Sequence, residues 1–409
     1  MMFFKAYLAS HFGKSLMWHA SNIAFAFFLT EICHLPTVLM AWTLAGSSVA
    51  NALADGVIGR SLARRMRDIA DASRHQLVGA IAAGCSFAVF CGSGLIAEPA
   101  RAGFALTTLV VFRIAYGFVD VPQNALLSYL PVDARQQERL VAVRLMMGYT
   151  AQMAAALLLS GLILRHSRLD SVYFVLGGSA IGAVAVGTAA VFALACGTPT
   201  AAPGQAPVPR GTSRSETPFL HLLIASAVVA FVSTLVLRLQ PYLAVYDSGS
   251  SATALVPVAM ALGGMIGQPI WAMLCRRQGA AATLRVASAA LIGSALLLGA
   301  SGRGGGVAML LDTGLFGVAF GGTSFGLWTL LARSGRGNPA LRMGIFTCTS
   351  KLAHAASALA LGAVLVGSDS QGWFAKVSAL WASSTIAAVA MGLALLLIAS
   401  APRRQRRGV

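Results

Sequence analysis

Apolar residues form unbroken runs of roughly 20 positions that recur from one end of the chain to the other. A run of that length crosses the ~30 Å hydrocarbon core of a bilayer as an α-helix. The runs do not alternate apolar and polar positions, which argues against a membrane β-barrel. The pattern therefore predicts an all-α integral membrane protein with twelve spans, whose expected cores are residues 8–30, 36–58, 76–95, 104–130, 145–164, 172–196, 219–246, 252–275, 283–300, 306–332, 343–366 and 373–400.

A segment rich in proline, glycine, serine and threonine, GTPTAAPGQAPVPRGTSRSETP, follows the sixth span. Such a composition does not build a packed element and predicts a flexible cytoplasmic linker. The predicted organisation is a six-helix bundle at residues 1–197, a linker at 198–217, a second six-helix bundle at 218–400 and a basic tail at 401–409.

The composition supports this assignment. Of 409 residues, 57% are hydrophobic and 11% are charged, with a mean hydropathy of +0.75. Soluble domains usually carry about 25% charged residues. The six cysteines show no spacing typical of metal ligands, so we expect no metal site and no cofactor other than a coupling ion.

The net charge of +17 comes from the connecting segments. Most lysines and arginines outside the spans fall on one side, and the other side carries Arg101, Arg165, Arg168, Arg303 and Lys376. This asymmetry is the positive-inside pattern, which predicts that both termini lie in the cytoplasm. The expected partners of this charge are the anionic headgroups of the bilayer, not nucleic acid.

Polar residues recur at helical spacing inside four of the predicted spans. Such residues usually face the protein interior or water, and charged ones often mark a transport pathway. A structural ion pair that locks two helices is the alternative interpretation. Four such stripes together predict a shared water-filled cavity. The first stripe is His11, Ser15, Trp18/His19 and Asn22, with Lys14 beside it, and the second is Ser48, Asn51 and Asp55. The third is Arg113, Tyr116, Asp120 and Asn124, and the fourth is Thr347, Lys351, His354 and Ser357.

Two six-span halves joined by a long linker resemble the major facilitator superfamily, and four motifs resemble its glycoside–pentoside–hexuronide cation symporters, typified by the melibiose permease. The motifs are FGKS at residues 12–15, NALADGVIG at 51–59, YGFVDVPQNALLSYLPVDARQQERLVAVR at 116–144 and TSKLAHAAS at 349–357. Trp328 also falls where that family often has a tryptophan. The resemblance implies the major facilitator fold.

The resemblance also implies residue roles. The expected coupling-cation residues are Asp55, Asp120 and Asn51, with Pro122 relaxing the helix beside Asp120. The charged segment after the fourth span implies a cytoplasmic gate made of Asp133, Arg135, Glu138 and Arg139. The residues expected to contact substrate are Lys14, Ser15, Trp18, His19, Arg113, Tyr116, Asn124, Arg144, Trp328 and Lys351.

The chain departs from that family's pattern where acids are expected. Ser15 stands in place of an aspartate that would hold sugar hydroxyls, Asn51 replaces a second aspartate, and Ala54 replaces an asparagine. Basic residues are retained at Lys14, Arg113, Arg144 and Lys351. A neutral glycoside is therefore disfavoured, and an anionic or zwitterionic solute is expected.

The expected function is cation-coupled secondary transport of a small solute in the inner membrane, by a multi-pass protein acting as a monomer. With fewer oxygen ligands than the family set, a proton is favoured over sodium as the coupling ion, because a proton needs one basic atom. Lys351 is expected to pair with Asp55 or Asp120 when the site is empty. A proton-driven exporter and a transporter-like sensor stay open as alternatives, whereas no nucleophile–base pair or metal cluster indicates an enzyme.

Overall fold

The computed structural model describes residues 2–66, 68–129, 134–164, 171–197, 218–246, 251–301, 306–334, 338–369 and 373–400. These residues contain twelve long α-helices. They are α1 (Met2–Phe27), α2 (Thr37–Arg65), α3 (Ile69–Cys91), α4 (Glu98–Tyr129), α5 (Ala134–Leu164), α6 (Ser171–Gly197), α7 (Phe219–Tyr246), α8 (Val256–Gln278), α9 (Ala280–Ser301), α10 (Gly306–Arg333), α11 (Pro339–Asp369) and α12 (Trp373–Ser400). The predicted linker, the tail and Asp133 lie outside the described residues.

Local sequence explains several helix ends. The side chain of Asp68 accepts a hydrogen bond from the Asp71 amide and so caps the start of α3. Gly279 ends α8 with a φ of 84°, a conformation that glycine adopts without a Cβ clash. A π-helical turn at Phe28–Ile32 follows α1, and short 3₁₀ turns follow α3 and precede α8.

Eleven of the described helices are long and apolar enough to cross a membrane, and α1 is the exception. The reason is its stripe of polar residues, which includes His11, Lys14 and Ser15. All three side chains are buried in the protein rather than turned to the outer surface. The composition of α1 therefore reflects a helix whose polar face packs against other helices.

The first six helices and the last six pack in the same way. Helix α1 packs on α5 and α6, α2 on α4, and α3 on α4 and α6. The second half repeats each pairing, with α7 on α11 and α12, α8 on α10, and α9 on α10 and α12. The halves meet chiefly through α2 with α11 and through the equivalent pair, α8 with α5.

Contacts between the halves occur near both ends of the helices. Asn338, just before α11, donates to the Ala63 carbonyl near the end of α2 at 3.0 Å. At the other end, the hydroxyl of Thr30 lies 2.9 Å from that of Tyr242. We call the end that carries the start of α1 the N-terminal face, and the other end the opposite face.

The α2–α11 pair is packed backbone to backbone. A Cβ atom added to Gly344 would lie 2.8 Å from the Asp55 carbonyl oxygen and 2.9 Å from the Gly59 Cα. A side chain at Gly344 therefore cannot be added unless the two helices move apart. Glycine at this crossing lets α11 approach the helix turn that carries Asp55.

The fifth helix starts earlier than its predicted core, at Ala134 instead of residue 145. Arg135, Glu138 and Arg139 lie on its first turns, and Arg144 lies ten residues inside it. No proline or glycine separates these positions from the apolar run, and Leu140 between them is buried. The predicted charged loop is thus largely an amphipathic extension of the helix.

Candidate functional site

A cavity of about 250 Å³ lies between the two halves. Helices α1, α4 and α5 line it on one side, and α7, α10 and α11 line it on the other. Its charged and aromatic wall residues are His11, Lys14, Trp18, His19, Tyr116, Asp120, Arg144, Tyr149, Phe320, Trp328, Phe346, Lys351 and His354. The stripes predicted on α1, α4 and α11 therefore do meet in one cavity.

Asp120 is held by two helices of the first half. The ammonium of Lys14 lies 2.8 Å from Asp120 Oδ1 and donates to Asn124 Oδ1 at 2.9 Å. The Asn124 side-chain amide also donates to Asp120 Oδ1 at 2.9 Å. Asp120 and Asn124 are one helical turn apart, so they present one polar surface of α4 to Lys14.

Lys351 on α11 bridges both buried carboxylates. Its ammonium lies 2.5 Å from Asp55 Oδ2 and 3.2 Å from Asp120 Oδ2. The predicted pairing of Lys351 is confirmed, with both aspartates rather than one. Among the described residues, Lys351 is the member of this network that the second half contributes, and it therefore ties α11 to α2 and α4.

Two oxygen atoms beside this network have no hydrogen-bond partner among the described residues. They are Oδ1 of Asp55 and Oδ1 of Asn51, and both are buried. A Cβ added to Gly117 of α4 would lie 2.8 Å from the Asp55 oxygen and 3.9 Å from the Asn51 oxygen. Because Gly117 has no side chain, both acceptor oxygens border the space beside its Cα, where a proton or a small cation would satisfy them.

Arg144 forms a basic wall without an acidic partner in the described part of the chain. Its guanidinium donates to the Asn124 side-chain oxygen and to His11 Nδ1, the latter at 3.4 Å. It also lies over the ring of Trp328, 4.4 Å from the centroid. An arginine packed over an aromatic ring is preorganised to bind a carboxylate or phosphate with its remaining donors.

Trp18 lies in the wall of the cavity, next to Tyr116 and His354. Its ring stacks on Tyr116 at 5.3 Å and contacts the ring of His354 at 5.0 Å. The ammonium of Lys351 and the guanidinium carbon of Arg113 lie 5.8 and 5.4 Å from it. The same indole ring thus lies near Lys351, which lines the cavity, and near Arg113, which does not.

The predicted substrate residues are nearly all brought together. Lys14, Ser15, Trp18, His19, Tyr116, Asn124, Arg144, Trp328 and Lys351 line the cavity. Arg113 does not, and this correction has a simple cause: it lies one turn before Tyr116 on α4, and Trp18 covers it. Of the predicted cation residues, Asp120 lines the cavity, and Asp55 lies behind Lys351.

The predicted gate residues are only partly connected. Glu138 forms an ion pair with Arg333 of α10, and Gln137 donates to the Ala332 carbonyl at 3.4 Å, both at the N-terminal face. Arg135 and Arg139 are exposed and form no ion pair within the described residues. A gating role for these residues stays a prediction.

Sequence reasoning missed the contribution of α7 and the residues of α5 other than Arg144. On α5, Arg144, Gly148 and Gln152 line the cavity at a spacing of four residues. On α7, Ser226, Ser233 and Thr234 line it. Both sets lie at helical spacing, but serine and threonine in apolar spans also bond to their own backbone, which hides the pattern. Ser226, for example, donates to the Leu223 carbonyl.

The chain belongs to a known transporter family. The family described as "MFS/sugar transport protein", where MFS denotes the major facilitator superfamily, matches residues 6–401. The chain is therefore a member of that transporter family and not an enzyme. No curated protein sequence matches it significantly.

Several solved transporters share its fold. The partially occluded inward-open xylose transporter XylE from E. coli superposes with a TM-score of 0.71 at 13% identity, covering 100% of this chain and 99% of that one. The outward-facing bacterial homologue of the iron transporter ferroportin gives 0.68 at 14%, covering 97% and 99%. A point mutant of the nucleoside transporter NupG gives 0.64 at 12%, covering 97% and 99%. At these identities the likeness concerns the fold alone.

Proposed function

We propose that this chain is a secondary transporter that moves a small anionic or zwitterionic solute across the inner membrane together with a proton. The twelve helices would span the bilayer as two bundles with both termini in the cytoplasm, so that the N-terminal face is cytoplasmic. Alternate opening of the two faces around the central cavity would move the solute. The family membership and the wall residues of the cavity support this proposal.

One observation carries the coupling step: Lys351 of the second half contacts two carboxylates of the first half. A buried ammonium that loses its carboxylates is strongly destabilised, so the pairing holds α11 against α2 and α4. Neutralising Asp55 or Asp120 with a proton would weaken that hold and free Lys351 for the solute. Proton binding and solute binding would then each favour the other.

The solute class follows from the charges on the wall. Lys14, Arg144 and Lys351 face the cavity, with Asp120 as the acid that lines it and Asp55 behind. An anionic group bound by Arg144 and Lys351 would compensate the excess positive charge. Trp328 and Trp18 would then cover the less polar part of the solute.

A proton is favoured over sodium as the coupling ion for a reason of coordination. Asp55 Oδ1 and Asn51 Oδ1 face the same place, and Asp120 already accepts bonds from Lys14, Asn124 and Lys351. Two unoccupied oxygens give a hard cation few ligands, whereas one suffices for a proton. The expected partners are thus the solute, the proton and the lipid headgroups, with the chain acting as a monomer.

Solute identification comes first. Purified full-length protein is screened by thermal shift against carboxylates, amino acids, peptides, phosphates and sugars, each with and without sodium. We expect the largest stabilisation from anionic or zwitterionic compounds, because a ligand that binds the folded state alone stabilises it increasingly as its occupancy rises. A response confined to neutral sugars would contradict the proposed solute class.

Coupling is then tested in proteoliposomes that contain a pH-sensitive dye. The identified solute is added to sodium-free vesicles at pH 6 and at pH 8, and internal acidification is recorded beside solute uptake. We expect uptake and acidification together, both faster at pH 6. Uptake that needs sodium at both pH values, without proton movement, would rule out proton coupling and leave sodium as the coupling ion.

A further inference from the structure

Two arginines are buried beside the cavity without lining it. Arg113 of α4 and Arg238 of α7 have exposed fractions of 1% and 0%. Arg113 belongs to the first half of the chain and Arg238 to the second. Both lie near His354: Arg238 donates to its carbonyl, and Arg113 lies over the Trp18 ring that contacts the His354 ring.

Neither guanidinium group is satisfied by the described residues. Arg238 donates from Nη1 to the His354 carbonyl at a long 3.4 Å, and Arg113 lies over the rings of Trp18 and Phe112 at 5.4 and 5.6 Å. The Nε and Nη2 atoms of both arginines have no hydrogen-bond acceptor there, and neither residue forms an ion pair within the described chain. Four buried nitrogen donor atoms therefore have no acceptor among the described residues.

Their depth relative to the cavity follows from helix geometry. Arg113 precedes Asp120 by seven residues, or about 10 Å along α4 toward the opposite face. Arg238 follows Thr234, a cavity-lining residue, by one turn in the same direction. His354 connects the two places, because its ring contacts Trp18 and its Nδ1 lies 3.0 Å from the Thr234 hydroxyl. The arginines thus lie at the end of the cavity that is nearer to the opposite face.

We propose that Arg113 and Arg238 form a second binding site, which takes an oxyanion group (carboxylate, sulfate or phosphate) of the transported solute when the opposite face opens. This inference rests on the proposed function, because it assigns the second site to the same anionic solute. Two guanidinium forks from opposite halves suit the oxygens of one such group.

The proposed site would explain why the opposite face opens and why it closes again. With the opposite face closed, two unpaired guanidiniums oppose each other's charge in a poorly solvated place, which favours opening. An oxyanion between them compensates the charge and allows the halves to approach again. Displacement of the Trp18 ring then gives the anionic group a path to Lys351 and Arg144.

The test uses full-length protein in lipid nanodiscs and thermal unfolding. Potassium sulfate, phosphate or acetate is titrated at constant ionic strength with potassium chloride. The variants are R113Q/R238Q for the proposed site, R144Q for the central cavity and R285Q as a control. Arg285 is an exposed arginine whose side chain donates to the Ala399 carbonyl, outside both sites.

We expect three results. R113Q/R238Q unfolds at a higher temperature than wild type without added oxyanion, because two uncompensated buried charges are removed. Its apparent affinity for sulfate or phosphate falls about tenfold or more, since hydrogen bonds to charged groups are lost. R144Q keeps part of the response, and R285Q keeps all of it.

Other results would overturn the proposal. They are an unchanged oxyanion response in R113Q/R238Q, a complete loss of the response in R144Q, or a response to acetate, sulfate and phosphate that is equal in all variants and so marks adventitious ions only. If the glutamine variant does not fold, R113K/R238K decides. It keeps the charge but loses the planar fork, so a wild-type affinity in that variant also overturns the proposal.

The proposed function and the proposed site fail in different ways. If no anionic solute drives proton movement, the symport is wrong, but a sulfate response lost specifically in R113Q/R238Q still supports the site. If that response persists in R113Q/R238Q while the solute still moves protons, the site is wrong and the symport stands.

Discussion

Two regions of the interface bury basic side chains from both halves. In one region carboxylates compensate the positive charge, and in the other they do not. In the centre, Lys14 and Lys351 are matched by Asp120 and Asp55 at 2.5 to 3.2 Å. About two turns away, Arg113 and Arg238 have no such match in the described chain. A compensated pair is stable until a proton or ligand competes for it, whereas an uncompensated pair needs a ligand in order to be stable. Under the proposed function, the compensated region would carry the coupling and the uncompensated region would bind the anionic group.

The strongest test of the compensated region is Lys351→Ala. This change leaves Asp55 buried without its partner, and we expect the free energy of unfolding to fall by about 3–5 kcal/mol. The double variant K351A/D55A should lose less, because no charge is then left unpaired. Denaturant unfolding of the purified variants measures both values. Strictly additive losses would show that the two residues do not act as a pair.

Asp120→Asn removes two ion pairs but keeps a polar group for Lys14. We expect coupled uptake to be abolished while the protein stays folded, with a loss of about 2 kcal/mol in stability. Solute accumulation against a gradient, measured beside thermal unfolding, separates the two effects. Asp312→Asn, on a half-buried acid of α10 outside the cavity wall, is the matched control and should transport normally. Wild-type accumulation by a folded D120N protein would remove Asp120 from the coupling mechanism.

Gly344→Ala disturbs the same network through the backbone. The added methyl group would lie 2.8 Å from the Asp55 carbonyl oxygen, so α11 must move away from α2 and Lys351 from Asp55. Overpacking of this kind costs about 1–3 kcal/mol. The control is Gly56→Ala on α2, where an added Cβ meets no atom within 4 Å. Equal thermal stability of the two variants would mean that the close α2–α11 crossing does not support the ion pair.

The smallest effect is expected from Glu138→Gln at the N-terminal face. The Glu138 side chain is 7% exposed and that of its partner Arg333 is 28% exposed, so solvent reaches the pair from the arginine side. We expect a stability loss of about 1 kcal/mol or less and a faster opening of that face. Hydrogen exchange of the first turns of α5 measures the opening. An effect as large as that of Lys351→Ala would show that this ion pair, and not the central one, holds the halves together.

Much of the architecture follows from the sequence because its causes are local. The length of each apolar run predicts a helix, and polar residues at steps of three and four predict the face that packs inward. This was sufficient to bring Lys14, Asp120 and Lys351 to one cavity. The sequence pattern predicts too late a start for α5, because the charges of Arg135 and Arg139 are typical of a loop but also fit helix turns that are solvated on one side.

The depth of a residue within the interface did not follow from the same patterns. Arg113 shares a stripe with Tyr116 and Asp120, and its sequence position does not say that Trp18 of another helix covers it. The same holds for Thr234 and Arg238, which lie one turn apart although only Thr234 lines the cavity. Such distinctions depend on tertiary packing between α1, α4 and α7, which cannot be predicted from the pattern of a single sequence.

The repeated packing of the two halves has one further consequence. The seam between α2 and α11 is equivalent to the seam between α8 and α5. The first seam contains a lysine on α11 facing an aspartate on α2. The second joins α5 to α8, which has no acidic residue anywhere in its sequence, and Arg144 of α5 contacts α1, α4 and α10 instead. The duplicated plan is therefore missing one carboxylate, and a solute that carries its own would complete the symmetry for as long as it is bound.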